Sequence, residues 1–123
     1  MAKILVVEDE PSMNKYLQYQ LRKMGHEIVA ATDGAQALAL VESDRPDLVI
    51  LDLMLPVMNG FQVVQELQAK TTTSSIPVIM LSAKNQPHDI AVGIGRGVFA
   101  YITKPFNIPN LVATIDKALS STY

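Results

Sequence analysis

The sequence has no cysteine among its 123 residues, and it has little excess charge of either sign. The absence of cysteine excludes disulfide bonds and metal sites built on thiolates, and it agrees with a reducing compartment such as the cytoplasm. Ten basic residues against twelve acidic ones give a formal net charge of −2. We therefore expect no direct binding to nucleic acid by this chain.

Long hydrophobic runs are also lacking, because no apolar run reaches the roughly 20 residues that a membrane-spanning helix needs. The opening Met1-Ala2-Lys3 leads into a short apolar segment that acidic residues interrupt at once, which does not match a signal peptide. The length suits one domain, and a hydrophobic content of 49% is enough to form a core. We expect a single cytoplasmic domain over residues 1–123, with no membrane association.

Short apolar segments alternate along the chain with longer segments of helical periodicity. The apolar segments are rich in β-branched residues and lack a clean alternation of polar and apolar positions. That pattern is typical of strands covered on both faces of a parallel sheet. The predicted strands are Ile4–Val7, Ile28–Ala31, Leu48–Leu51, Val78–Leu81 and Val98–Ile102.

Five helices are predicted between and after these strands, so the chain should form a three-layer α/β sandwich with right-handed crossovers. The fourth helix, within Pro87–Gly97, carries three glycines. Each glycine inside a helix costs about 1 kcal/mol relative to alanine, so we expect this helix to be short or loosely held. The apolar stripes of the other four are Met13, Tyr16, Leu17, Leu21 and Met24; Ala35, Leu38, Ala39 and Val41; Phe61, Val64 and Leu67; and Ile108, Leu111, Val112, Ile115 and Leu119.

Polar residues come directly after four of the predicted strands. In open parallel sheets, ligands bind beyond the carboxyl ends of the strands, near the point where the strand order reverses. We therefore expect one polar cluster at a single edge of the sheet. Its members are Glu8, Asp9 and Glu10 after the first strand, Asp52 after the third, Ser82 after the fourth, and Thr103 and Lys104 after the fifth.

The acidic part of this cluster predicts a metal site. Carboxylates from Glu8, Asp9 and Asp52 lying close together disfavour their joint ionisation. A hard divalent cation relieves this repulsion, and oxygen ligands with positions left for water and phosphate suit Mg²⁺, or Mn²⁺ in its place. With the Lys104 ammonium, the formal charges of the acids and the cation sum to about zero, so that a phosphate can approach.

Phosphoryl transfer to Asp52 is the chemistry that this set of groups favours. The carboxylate would attack phosphorus, while the cation and Lys104 offset charge on the phosphoryl oxygens. Ser82 offers a hydroxyl donor to one of those oxygens. The Lys104-Pro105 bond, which can be cis, would fix the backbone beside the ammonium.

Together these segments resemble the receiver domains of two-component response regulators, the family that includes the chemotaxis receivers. The resemblance implies a flavodoxin-like, doubly wound fold with five parallel strands in the order 2-1-3-4-5 and five helices. It also implies phosphorylation by a sensor histidine kinase or a phosphotransfer protein. The motifs that carry it stand in order over the whole chain: Ile4–Glu10, Asp47–Pro56 followed by Asn59-Gly60, Pro77–Lys84, and Tyr101–Phe106.

The resemblance also assigns roles to individual residues of the site. Asp52 matches the phosphorylation site, and Lys104 matches the lysine that contacts the phosphoryl group. Glu8 and Asp9 match the acidic pair that, with Asp52 and the backbone carbonyl of Met54, binds Mg²⁺.

A second group of residues matches the parts of the family that transmit the signal. Ser82 matches the switch hydroxyl, and Tyr101 matches the aromatic residue that turns inward when the hydroxyl moves to the phosphate. The surface formed by the fourth helix, fifth strand and fifth helix would then bind a downstream protein whose identity the sequence does not reveal. Met54 and Lys84 fall at the phosphate entrance, where they are candidates for tuning hydrolysis.

The sequence departs from the family pattern at two places. Serine stands at position 82 where threonine is commoner, which keeps the hydroxyl and removes a methyl group. Gly97-Val98-Phe99-Ala100 stands where Gly-Ala-Asp-Asp is frequent, so two acids are missing. Because those acids often serve the dimer face of DNA-binding regulators, a phosphorylation-dependent homodimer would need other contacts.

Two other functions fit the same fold. An aspartyl-phosphate phosphohydrolase commonly needs a second acid two positions after its nucleophile, where this chain has Met54, which can act as neither acid nor base. A phosphorylation-independent adaptor usually lacks an acid or the lysine, whereas this chain has them all. The sequence therefore favours a signalling switch over an enzyme that turns over a substrate.

Overall fold

The computed structural model describes residues 2–120, which form one parallel sheet with helices on both faces. Met1 and residues 121–123, which belong to the predicted domain of 1–123, lie outside the described residues. The elements alternate strictly along the chain. They are β1 (Lys3–Val7), α1 (Pro11–Lys23), β2 (Glu27–Ala31), α2 (Gly34–Asp44), β3 (Leu48–Asp52), α3 (Gly60–Gln68), β4 (Val78–Ser82), α4 (Pro87–Gly95), β5 (Ala100–Thr103) and α5 (Ile108–Ser120).

The five strands are parallel and lie in the order β2-β1-β3-β4-β5, which confirms the predicted topology. The strand order reverses between β1 and β3, so these two neighbours form the switch point of the sheet. Val7 pairs with Leu51, and the residues that follow them therefore leave the sheet side by side. This register places Glu8 beside Asp52.

The central strands are buried because each of their faces meets a separate helical layer. Ile4 and Val6 pack in a core with α1 and α5, whereas Leu5 and Val7 pack in a second core with α2 and α3. Every residue of β3 and β4 is buried as well. Burial of a large aliphatic side chain is worth about 1.5–3 kcal/mol, so both layers hold the sheet in place.

The two edge strands differ from the prediction of strands covered on both faces. β2 exposes Glu27 and Ala30, and β5 contains a single buried residue, Ile102. β5 also starts at Ala100, two residues later than predicted, although Val98 is buried. The helices therefore cover the two edge strands less completely than the three central ones.

The predicted stripe of α2 is wrong at two of its positions. Ala35 and Ala39 are exposed, whereas Ala37 and Val41 are buried. Apolar residues occupy every position from 37 to 41, so periodicity alone could not determine which face of α2 packs on the sheet.

The stripe of α1 is only partly buried, because Tyr16 is 45% exposed and Met24 is 51% exposed. α4 is short, as predicted, and spans nine residues. Among the described residues, no helix is both long and apolar enough to cross a membrane.

The loop between β3 and α3 contains a strained residue, and this yields a stability prediction. Val57 has a φ of 71° and is 82% exposed. The left-handed conformation costs a non-glycine residue about 1–2 kcal/mol, and asparagine tolerates it better than a β-branched residue. We expect Val57→Asn to raise the free energy of unfolding by about 1 kcal/mol in urea denaturation.

The matched control is Val57→Ile, which keeps the β-branch and the apolar character. We expect this variant to unfold at the wild-type urea concentration. Equal stability of the asparagine and isoleucine variants would show that Val57 is not strained.

Candidate functional site

Three acidic side chains meet at the carboxyl edge of the sheet. Glu8 and Asp9 follow β1, and Asp52 ends β3. One carboxylate oxygen from each residue lies within 4.8 Å of the other two. The predicted acidic cluster is therefore present, and the neighbouring ends of β1 and β3 create it.

Lys104, which follows the edge strand β5, completes the cluster at the same carboxyl edge of the sheet. Its Nζ donates to Glu8 Oε1 at 2.8 Å and to Asp52 Oδ2 at 2.9 Å. Its backbone N–H donates to the Ser82 carbonyl at 2.7 Å, which ties the segment after β5 to the end of β4. The peptide bond to Pro105 is cis, as the sequence allowed.

Burial makes it costly to keep the carboxylates of this cluster ionised. Glu8 is 2% exposed and Asp52 is 6% exposed, whereas Asp9 faces solvent. Burial, with a smaller contribution from the Asp52 charge, raises the pKa of Glu8 even though Lys104 and a backbone N–H favour its ionised form. Burial alone would lower the pKa of Lys104, but its hydrogen bonds to Glu8 and Asp52 outweigh that effect and raise it. The lysine therefore stays charged at neutral pH.

Backbone groups hold the two buried acids in place. The Met54 N–H donates to Asp52 Oδ1 at 2.9 Å, and the Glu10 N–H donates to Glu8 Oε2 at 3.1 Å. The Glu10 side chain in turn caps α1 by accepting from the Met13 N–H. Both buried carboxylates are thus fixed before any ligand binds.

Sequence reasoning missed Asn14, which supports the loop that carries the acids. Asn14 is buried, and its side-chain amide donates to the backbone carbonyls of Glu8 and Ala31. It lies on the buried face of α1, three and seven positions before Leu17 and Leu21. A polar residue in register with a buried stripe is the signal that could have identified it.

The donor set fits a hard divalent cation. Every charged candidate ligand is a carboxylate oxygen, and two of the three acids are nearly excluded from water. Such a site favours ions that prefer oxygen ligands over those that prefer sulfur or nitrogen. Met54 also lies beside the cluster, with its N–H on Asp52 and its side chain 55% exposed.

Ser82 and Tyr101 both meet the backbone of Lys84. The buried Ser82 Oγ accepts from the Lys84 N–H at 3.0 Å, and the Tyr101 hydroxyl donates to the Lys84 carbonyl at 2.8 Å. The Tyr101 ring is half-buried, and the Lys84 side chain is exposed. A backbone link through Lys84 therefore joins the two residues that the sequence assigns to one switch.

The sequence matches the family described as the response regulator receiver domain over residues 4–116. The chain belongs to this family. It is 38% identical to the PilH protein of Pseudomonas aeruginosa over 98% of this chain and 99% of that protein. It is 41% identical to the PhoP transcriptional regulator of Bacillus subtilis, but there it spans 48% of the relative's length.

Solved structures of receiver domains are similar in fold to this chain. The chemotaxis response regulator CheY4 of Vibrio cholerae has a TM-score of 0.90 at 33% identity, with 97% of this chain and 99% of that chain covered. The receiver domain of the Pseudomonas aeruginosa sensor histidine kinase PA1611 has a TM-score of 0.90 at 29% identity, with 98% of each chain covered. That structure is described with a magnesium ion coordinated in its active-site cleft. This receiver domain therefore belongs to two-component signalling, in which the family acts as the phosphoacceptor.

The raised pKa of Glu8 predicts a pH dependence of stability in metal-free protein. A carboxyl whose pKa is raised on folding favours the folded state below its ordinary value of 4.5, and this contribution is lost as the pH rises through the folded pKa. Glu8→Gln stays neutral throughout. We expect the free energy of unfolding of wild type, relative to this variant, to fall as the pH rises from about 4 to 7.

Urea denaturation in the presence of EDTA checks this pH dependence. A parallel series in Mg²⁺ is the control, because a cation that binds the ionised carboxylate reverses the trend. If the difference between wild type and Glu8→Gln rises with pH in EDTA, the assigned direction of the Glu8 shift is wrong.

Proposed function

We propose that Asp52 is the phosphoacceptor of this receiver domain and that its phosphorylation changes a protein-binding surface formed by α4, β5 and α5. The observation that carries the proposal is the Lys104 ammonium, which bridges Asp52 and Glu8 within 3 Å of each. An ammonium in that position can contact an oxygen of a phosphoryl group on Asp52. The proposed domain comprises the whole of residues 1–123.

Asp52 carries out the covalent step. Its carboxylate attacks phosphorus, a new bond forms between oxygen and phosphorus, and the bond from phosphorus to the donor's leaving group breaks. For a sensor histidine kinase or a phosphotransfer protein, that leaving group is an imidazole nitrogen. Lys104 offsets negative charge on the transferred oxygens, and the Ser82 hydroxyl can donate to one of them.

We assign the metal site to Glu8, Asp9, Asp52 and the backbone carbonyl of Met54. Mg²⁺ suits these oxygen ligands, and Mn²⁺ has similar preferences. When bound, the cation supplies positive charge that lowers repulsion between the acids and an incoming phosphate. The magnesium-bound PA1611 receiver supports this assignment by similarity.

The switch passes through Ser82, Lys84 and Tyr101. If the Ser82 hydroxyl turns toward a phosphoryl group, its hydrogen bond from the Lys84 N–H is lost. The Lys84 carbonyl holds the Tyr101 hydroxyl, so a shift of this loop reaches the aromatic ring on β5. Phosphorylation thus biases two arrangements of one connected segment.

We assign Met54 and Lys84 a role in setting the lifetime of the phosphoryl group. Both side chains are exposed and line one cleft of about 250 Å³ between the β3–α3 loop and the start of α4. They can control how water reaches Asp52. Met54 supplies no acid or base to activate that water, which argues against an enzyme that turns over phosphate esters.

The proposed setting is a cytoplasmic phosphorelay with a protein as the downstream partner. Ile94 and Phe99, on α4 and in the α4–β5 loop, are 49% and 39% exposed and give the signalling face apolar contact area. A phosphorylation-dependent homodimer would use the same face. We assign no contact with nucleic acid or membrane to this domain.

The metal site predicts stabilisation by Mg²⁺. A ligand at ten times its Kd that binds only the folded state adds about 1.4 kcal/mol, which raises the Tm by about 5 °C. We expect such a rise in thermal unfolding of wild type at millimolar Mg²⁺. Asp9→Asn removes one exposed ligand and should show a smaller rise, whereas equal rises would place the binding site elsewhere.

Acetyl phosphate provides the direct test of Asp52 as the phosphoacceptor. In intact-protein mass spectrometry with Mg²⁺, we expect wild type to gain the mass of one phosphoryl group, and Asp52→Asn to gain none. Asp89→Asn, which changes a carboxylate in the neighbouring cleft, is the matched control and should be labelled like wild type. Equal labelling of Asp52→Asn and wild type would refute the assignment.

A further inference from the structure

Gly93 is the one buried residue of α4, and the Tyr101 ring lies directly against it. A β-carbon added at Gly93 would lie 2.5 Å from Tyr101 Cδ2 and 3.0 Å from Cε2. Carbon atoms in good van der Waals contact are about 3.5–4.0 Å apart. The ring therefore occupies space that any side chain larger than hydrogen would take.

The opposite end of the ring is held by a polar contact. The Tyr101 hydroxyl donates to the Lys84 carbonyl at 2.8 Å. The Lys84 N–H donates to the Ser82 hydroxyl, which leads back to the edge of the sheet that carries Asp52. The Tyr101 hydroxyl is thus bound by the loop after β4, and the Tyr101 ring packs against α4 at Gly93.

The two glycines that follow Gly93, Gly95 and Gly97, do not contact the Tyr101 ring in this way. Gly97 has a φ of 94°, a conformation that other residues rarely adopt. Gly95 has no atom within 4 Å of an added β-carbon and no positive φ. Gly93 alone among the three α4-region glycines is required by contact with an aromatic ring, even though glycine weakens the helix that contains it.

We infer that Gly93 is a positioning residue for Tyr101. Because Gly93 has no β-carbon, α4 leaves a space, called the seat below, in which the ring packs against the helix while its hydroxyl bonds to Lys84. The seat couples α4 to β5, so the ring and the helix surface shift together. The regulatory meaning of this coupling rests on the proposed function, whereas the packing itself does not.

Alanine at position 93 fits only if the Tyr101 ring or the backbone of α4 moves. The clashing atoms belong to a side chain on an edge strand, so we expect the Tyr101 ring to rotate about χ1 rather than the backbone of α4 to shift. That rotation breaks the hydrogen bond to Lys84 and moves the ring away from α4. Gly93→Ala should therefore change the position of Tyr101, whereas Gly95→Ala, the same change two residues away, should not.

Fluorine NMR of protein labelled with 3-fluorotyrosine tests the position of the ring. The chain has four tyrosines, and the Tyr101 signal is the one that disappears in Tyr101→Phe. We expect Gly93→Ala to shift this signal and Gly95→Ala to leave it at the wild-type position. An unshifted Tyr101 signal in Gly93→Ala would overturn the inference.

A thermal double-mutant cycle separates this contact from a general effect on α4. We expect Gly93→Ala to lower the Tm of wild type but not that of Tyr101→Ala, in which the clash is absent. Gly95→Ala should change the Tm equally in both backgrounds. If Gly93→Ala lowers the Tm equally in both, then its effect is independent of Tyr101, and the inference fails even where the NMR sample is poorly folded.

Beryllofluoride, a phosphoryl mimic, tests the regulatory meaning in the same labelled samples. We expect it to move the Tyr101 signal in wild type and Gly95→Ala but to have a much smaller effect in Gly93→Ala. Equal responses in all three would overturn the role of the seat in switching. If acetyl phosphate labels none of the three proteins, wild type included, while the thermal cycle gives the expected result, then the proposed function is rejected. The packing of Tyr101 against Gly93 would still stand.

Discussion

The contact of the Lys104 ammonium with Glu8 and Asp52 is the interaction on which the rest of the site depends. Two nearly buried carboxylates and an exposed third lie within 4.8 Å of one another. Like unit charges at such distances repel by about 3–4 kcal/mol at the effective dielectric of a protein. The lysine offsets part of this repulsion, and it comes from a position 96 residues away from Glu8 in the chain. The strands β1, β3, β4 and β5 must therefore be assembled before the charges are balanced.

This constraint links the fold to the proposed chemistry. The parallel register of β1 with β3 brings the acids together, and the hydrogen bond from Lys104 to the end of β4 positions the lysine. Backbone N–H groups already hold the carboxylates, so little reorganisation is needed when a cation or phosphate enters. The raised pKa of Glu8 means that the metal-free fold disfavours the ionised form of this carboxyl. Tyr101, seated against Gly93, lies at the opposite end of the same connected segment.

Much of this arrangement could be predicted from the sequence because the central strands are continuous apolar runs with acids at their ends. The edge position of Glu8, Asp9, Asp52 and Lys104 follows from that pattern and the right-handed crossover rule alone. The packing face of α2 could not be predicted, since apolar residues surround the helix. The roles of the Lys84 backbone and of Gly93 were also hidden, because each depends on a contact with Tyr101 that no local pattern encodes.

A double-mutant cycle between Lys104 and Asp52 tests the central electrostatic claim most directly. The measured quantity is the free energy of unfolding, in EDTA at neutral pH, of wild type, Lys104→Met, Asp52→Asn and the double variant. Loss of the lysine should cost more stability when Asp52 is present than when asparagine replaces it, with a coupling energy of about 1–3 kcal/mol. A coupling energy near zero would contradict the claim that this ammonium balances the buried acid.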